Sequence, residues 1–215
     1  MWWALAIGAG AAVAWYLLRG ECTSYDSARA FAVEGADQRG HARRTAEGYL
    51  LSGRFDASNV PVIVQQGIKL IIGAEEMEQS THAALDRHGI AYLPAYLSDT
   101  WLHGAEIRRA ASEYDPDEIM IHCEHGVDRT GNIMAHLLVT RHCWDIADAL
   151  FAVVSPSPAE VEALNDLLGT NRDPRDPRVG VYSLRCTGKG GGMKVAGSGY
   201  RNLILTNIED MRRAP

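Results

Sequence analysis

The sequence predicts an α/β fold, a mostly parallel central sheet flanked by helices on both faces, with an apolar helix at the N-terminus. Two observations predict the sheet and its cover. Short strand-like runs alternate with longer amphipathic stretches between residues 47 and 168, and glycines close several of the segments. A third, the unbroken apolar run at residues 2–18, predicts the N-terminal helix.

The elements follow in order. Residues 49–51 read as a short strand before the turn-rich 52–54. Asp56 or Ser58 caps a helix running to Gln66, with Pro61 in its first turn. Residues 68–72 have the pattern of a buried strand, stopped by Gly73, and 75–88 reads as a helix that ends at Gly89. A strand over 90–97 is broken by Pro94. Residues 104–114 form a helix with Ile107, Ala110, Ala111 and Tyr114 on one face. A strand over 118–122 leads to a helix over 129–141 that turns Ile133, Met134, Leu137 and Leu138 inward. Helices near 146–154 and 158–168 complete the alternation. Beyond them the text is rich in Arg, Asp and Pro, then in Gly, and reads as a loop-rich extension that folds back through 201–208. The stretch Gly188, Lys189, Gly190, Gly191, Gly192 lacks the spacing of a nucleotide loop and reads as a hinge.

The apolar run covers about 26 Å as a helix, against roughly 30 Å of bilayer hydrocarbon. Trp2, Trp3, Trp15 and Tyr16 stand near its ends, where amphipathic rings favour the membrane interface. A cleaved signal peptide is the rival reading, but no positive segment precedes the run. Arg19, Arg29, Arg39, Arg43 and Arg44 follow it, which puts the main body on the cytoplasmic side. The expected organisation is a transmembrane anchor over 1–20, a juxtamembrane connector over 21–46, a catalytic domain over 47–168 and the extension over 169–215.

With 47% hydrophobic and 22% charged residues the chain has a globular composition, and its net charge of −6 excludes a broad nucleic-acid-binding face. Basic pairs such as Arg43-Arg44 read as solvated surface. The four cysteines, Cys22, Cys123, Cys143 and Cys186, are scattered with no CxxC pair, which fits a reducing compartment and leaves a lone Cys free for chemistry.

That chemistry points to 122–131, His-Cys-Glu-His-Gly-Val-Asp-Arg-Thr-Gly. A loop from a strand end into a helix start gathers backbone N–H groups around one concavity, and the helix dipole adds positive potential. Gly126 lets the loop turn without crowding a ligand. Cys123 stands at the entrance, and a thiol beside a helix N-terminus and a guanidinium is favoured as its thiolate. The planar fork of Arg129 holds two phosphoryl oxygens at once. Thr130 can donate its hydroxyl to the sulfur. His122 is expected to hydrogen-bond backbone and position Cys123. Glu124, His125, Gly126, Val127 and Asp128 line the anion site, with His125 and Val127 toward its mouth. Asp128 fixes the loop through a hydrogen bond. No further ligand cluster completes a zinc site around His122 and His125.

The segment resembles the Cys-x5-Arg-Ser/Thr signature of the protein tyrosine and dual-specificity phosphatase superfamily, and is most similar to its compact dual-specificity-type branch. The resemblance covers residues 47–168. It implies a phosphate monoester hydrolase working through a phosphocysteine, without metal or other cofactor. It also implies an acid on the rim that carries the loop, upstream of the Cys. Asp115 and Asp117 precede the strand that delivers Cys123, so they stand at its far end, more than about 15 Å away. Asp99 follows the strand over 90–97 and is the candidate acid, with Glu106 next. The expected substrate is phosphotyrosine or phosphoserine/threonine in proteins. A membrane phosphoinositide is the alternative, opposed by the acidic Glu124 and Asp128. A phosphate-binding pseudophosphatase adaptor and a rhodanese-type sulfur transferase are readings from other classes.

Overall fold

The computed structural model describes residues 42–97, 100–101, 104–183, 192–196 and 198–214. The predicted N-terminal apolar helix, the anchor over 1–20 and nearly all of the connector lie outside these residues. Among the described residues no helix is long and apolar enough to cross a membrane.

Among the described residues seven strands follow one another: β1 (Ala42–Arg44), β2 (Leu50–Ser52), β3 (Leu70–Gly73), β4 (Ala91–Pro94), β5 (Tyr96–Leu97), β6 (Thr100–Trp101) and β7 (Ile119–His122). The α-helices of the described residues are α1 (Val60–Gln65), α2 (Gln79–Arg87), α3 (Gly104–Ser112), α4 (Asp128–His142), α5 (Ile146–Val153), α6 (Pro158–Leu168) and α7 (Ser198–Arg213). Five strands make the central sheet in the order β1-β2-β7-β3-β4. All its pairings are parallel except β1 with β2. β7 lies in the middle, with His122 opposite Ser52 on one side and Gly73 on the other.

Alternation along the strands supplies two cores. Leu51, Leu70, Ile72, Ile119 and Ile121 join the cluster built with α3, α4, α5, α6 and α7. Leu50, Ile71 and Met120 join the other, with Val60, Ile63, Ala84 and Leu85 from the α1 and α2 side. Helices therefore cover both faces, as the alternation predicts. Each fully buried Leu or Ile contributes about 1.5–3 kcal/mol.

Local chemistry explains where the elements depart from the sequence reading. The predicted helix over 75–88 begins only at Gln79. Before it, the Glu75 carboxylate pairs with Arg54 and the Glu75 carbonyl accepts the Tyr92 hydroxyl, so 74–78 stays irregular. The strand over 90–97 splits at Ala95, which donates to Gly73 O, and continues as a hairpin of β5 and β6. The largest difference is in the extension over 169–215, read as loop-rich. Ile204, Ile208 and Met211 recur at helical spacing and are buried as one face of α7. The polar residues interleaved among them hid that period.

The same extension is built into the body. Val153 O accepts from Met193, and Met193 O accepts from Ser155. The Arg172 guanidinium lies 4.5 Å from the centre of the Phe151 ring and 2.5 Å from Asp148 Oδ1.

Candidate active site

β7 ends at His122, and α4 begins at Asp128. Because β2, β3 and β4 run parallel to β7, the loop 123–127 emerges on the rim where the 53–56 and 74–78 segments also emerge. Each secures it. Arg54 N–H donates to Glu124 O at 3.1 Å, Ala74 N–H to His122 O at 2.8 Å, and Cys123 N–H to Ser52 O at 3.4 Å.

The first bond of the α4 ladder runs from Gly131 N–H to Val127 O at 2.8 Å. The amides of Asp128, Arg129 and Thr130 precede that ladder, and no side chain caps the helix, since Val127 holds the cap position. By contrast Asp145 caps α5 with its carboxylate. A bare helix N-terminus after a buried strand suits an anion.

Gly126 has a φ of +67°, and a Cβ there would stand 2.6 Å from Gly53 N and from the Ser52 carbonyl carbon. The predicted need for glycine is thus both conformational and steric. Cys123 is 2% exposed and belongs to the cluster containing Ala74 and Ala95. Arg129 donates through Nη1 to Ala74 O at 2.8 Å and lies 3.7 Å from Glu124 Oε2 through Nη2. An open cleft of about 930 Å³ adjoins it, lined among others by Arg54, Glu75, His82, Tyr92 and Glu124. His125 is 56% exposed, with its ring 3.8 Å from Glu124.

For His122 and Arg43 the structure differs from the expectation, and for Asp128 it supplies the partner of the expected hydrogen bond. The His122 ring makes no hydrogen bond among the described residues; it is buried edge-on against Phe55 at 4.9 Å. Burial, with Arg54 and Arg129 adding to it, pushes its pKa down to about 3, so it is neutral packing beneath the loop. Asp128 accepts from Lys194 N–H at 2.8 Å, which ties it to the C-terminal segment. Burial raises its pKa. Arg43 reads in the sequence as half of a solvated basic pair. It is 5% exposed and reaches under the loop, donating to Gly126 O at 3.0 Å. A two-residue basic cluster carries no period, so only the pairing of β1 reveals that Arg43 faces inward and Arg44 does not.

Thr130 Oγ1 is buried with no partner among the described residues. Asp99 lies outside the described residues. Glu106 stands half-buried in the first turn of α3. No group of His, Cys, Asp and Glu among the described residues could hold a metal ion.

No family model and no curated protein matches the chain. Solved structures do. P. aeruginosa TpbA is 21% identical, with 56% of this chain and 76% of that one covered and a TM-score of 0.41. Human DUSP28 is 12% identical over 79% of this chain and 96% of its own, at 0.44. PTPMT1, solved in complex with PI(5)P, is 14% identical over 81% and 99%, at 0.47. These solved structures, to which the chain is similar, are cysteine-based phosphatases of the tyrosine and dual-specificity kind.

Proposed function

We propose that this chain is a phosphomonoesterase that works through a phosphocysteine at Cys123, acting on phosphotyrosine or phosphoserine/threonine in proteins. One observation carries the reading: Cys123 opens, and Arg129 closes, a loop that ends in an uncapped helix N-terminus. The Cys123 thiolate attacks phosphorus, the phosphorus–oxygen bond to the leaving group breaks, and that oxygen takes a proton from Asp99. Water then attacks phosphorus, the sulfur–phosphorus bond breaks, and orthophosphate leaves with the thiolate restored. The amides of the loop and the Arg129 fork hold the phosphoryl oxygens as charge redistributes, and Thr130 hydrogen-bonds the departing sulfur.

The cleft favours protein over lipid phosphate. Its wall carries Glu75, Glu76, Asp86 and Glu124 against Arg54 and Arg129, a poor setting for a multiply phosphorylated headgroup. The apolar run at residues 2–18 supports a membrane anchor with the catalytic body on the cytoplasmic side.

The test is hydrolysis of para-nitrophenyl phosphate by the full chain, followed by a panel of phosphopeptides and phosphoinositides. Cys123→Ser should abolish turnover. Retained activity in that variant sinks the mechanism, and preference for the lipids sinks the substrate class.

A further inference from the structure

The loop after β7 is held from beneath by Arg43, whose Nε and Nη2 donate to Tyr182 O at 2.9 and 2.7 Å and whose Nη1 donates to Gly126 O. A second hold comes from residues 192–196. They pack against the first turn of α4 so closely that a Cβ on Gly131 would stand 3.3 Å from Met193 Cβ. The backbone fixes this segment near one end: Met193 N–H donates to Val153 O at 2.9 Å, and Ser155 N–H donates to Met193 O at 3.0 Å. Two carboxylates take the next three amides. Asp128 Oδ1 accepts from Lys194 N–H at 2.8 Å, and Glu160 Oε2 accepts from Val195 and Ala196 N–H at 2.5 and 2.9 Å.

Both carboxylates stand in the first turn of a helix, where local chemistry would use them differently. The pattern Ser157-x-x-Glu160 is that of a capping box, in which the Glu turns back to the Ser amide. Ser157 nevertheless makes no side-chain cap bond, and Glu160 reaches to the 192–196 segment instead. Asp128 opens α4, whose bare N-terminus suits an anion. A carboxylate in that turn is itself an anion that the helix dipole attracts, so left alone it competes with a bound phosphate. The Lys194 amide gives it another partner.

We infer that Glu160 is a positioning residue for the phosphate site. It holds Val195 and Ala196 so that the Lys194 amide keeps the Asp128 carboxylate, which leaves the first turn of α4 open to a phosphoryl group. The inference rests on the reading of 122–131 as a phosphate loop. Its test reads binding without turnover.

The experiment is calorimetric titration of the full chain with orthophosphate at neutral pH. Glu160→Ala should bind about two- to fivefold more weakly than the parent, the range a carboxylate in the first helical turn is worth. The same substitution made in Asp128→Asn, which has no charge to compete, should leave the affinity of that background unchanged. A Glu160 that merely supports the fold would weaken binding in both backgrounds alike. That result, or an unchanged affinity in folded Glu160→Ala, overturns the inference.

If Glu160→Ala does not fold, Glu160→Asp takes its place in the same two backgrounds. It keeps the charge but draws the carboxylate back by one methylene from the Val195 and Ala196 amides. A parent that binds no orthophosphate sinks the functional reading and this inference with it. A parent that binds, matched by the Glu160 variant, sinks the inference alone.

Discussion

Arg129 and Ala74 are joined by a 2.8 Å hydrogen bond, so the strand beside β7 orients the guanidinium of α4. Lysine could keep a charge near Glu124 but would lose the fork that can bond Ala74 O and still present nitrogens to a phosphoryl group. Arg129→Lys should lower kcat/KM on an aryl phosphate by about 10²–10³. Its melting temperature should change little. Steady-state kinetics beside a thermal melt checks this.

Gly126→Ala should fail for two independent reasons, the positive φ and the 2.6 Å approach of Ser52 and Gly53. The left-handed backbone alone costs about 1–2 kcal/mol. A loss larger than about 2 kcal/mol in urea unfolding, with loss of turnover, is the expected result.

His122 gives the fold a pH dependence with a definite sign. Its folded pKa, about 3, lies below the usual histidine value, so the unfolded chain binds more protons between the two. Stability should fall as pH drops below about 6.5, by up to about 1.4 kcal/mol per pH unit. His122→Phe, which keeps a ring against Phe55, should flatten urea-melt stability between pH 6.5 and 4.

Asn207 of α7 donates to Asn132 O at 2.9 Å and meets His136 Nδ1 at 2.9 Å. Asn207→Ala removes these buried hydrogen bonds, a loss of about 1–3 kcal/mol. The melting temperature should drop by about 2–4 °C for each kcal/mol.

Asp128→Ala should release the segment around Lys194. Hydrogen exchange at the Lys194 and Val195 amides should quicken, while Asp128→Asn, which keeps an acceptor, should protect more.

The strands and helices between residues 49 and 168 were legible because each carries its own signal. The apolar run at 70–73, Gly89 after α2 and Pro158 in the first turn of α6 are local features. The bend at Gly126 was legible because a short loop from a strand end into a helix start constrains adjacent residues. Arg43, Tyr182 and Lys194 were not, since their roles depend on partners 83, 139 and 66 residues away in sequence. β1, three residues long, and α7, diluted by Asn and Thr, have no pattern that survives without the fold around them.

The clasp that joins Arg43, Gly126 and Tyr182 bears on how the molecule is made. Synthesis delivers β7 and the start of α4 well before Tyr182, Lys194 and α7 leave the ribosome. Until they do, the guanidinium of Arg43 lacks two of its three acceptor contacts, and Asp128 has nothing to hold. The middle of the gene encodes the loop, but its last third completes the hydrogen bonds around it, so a nascent chain stalled after α6 would carry the whole 122–131 segment without them.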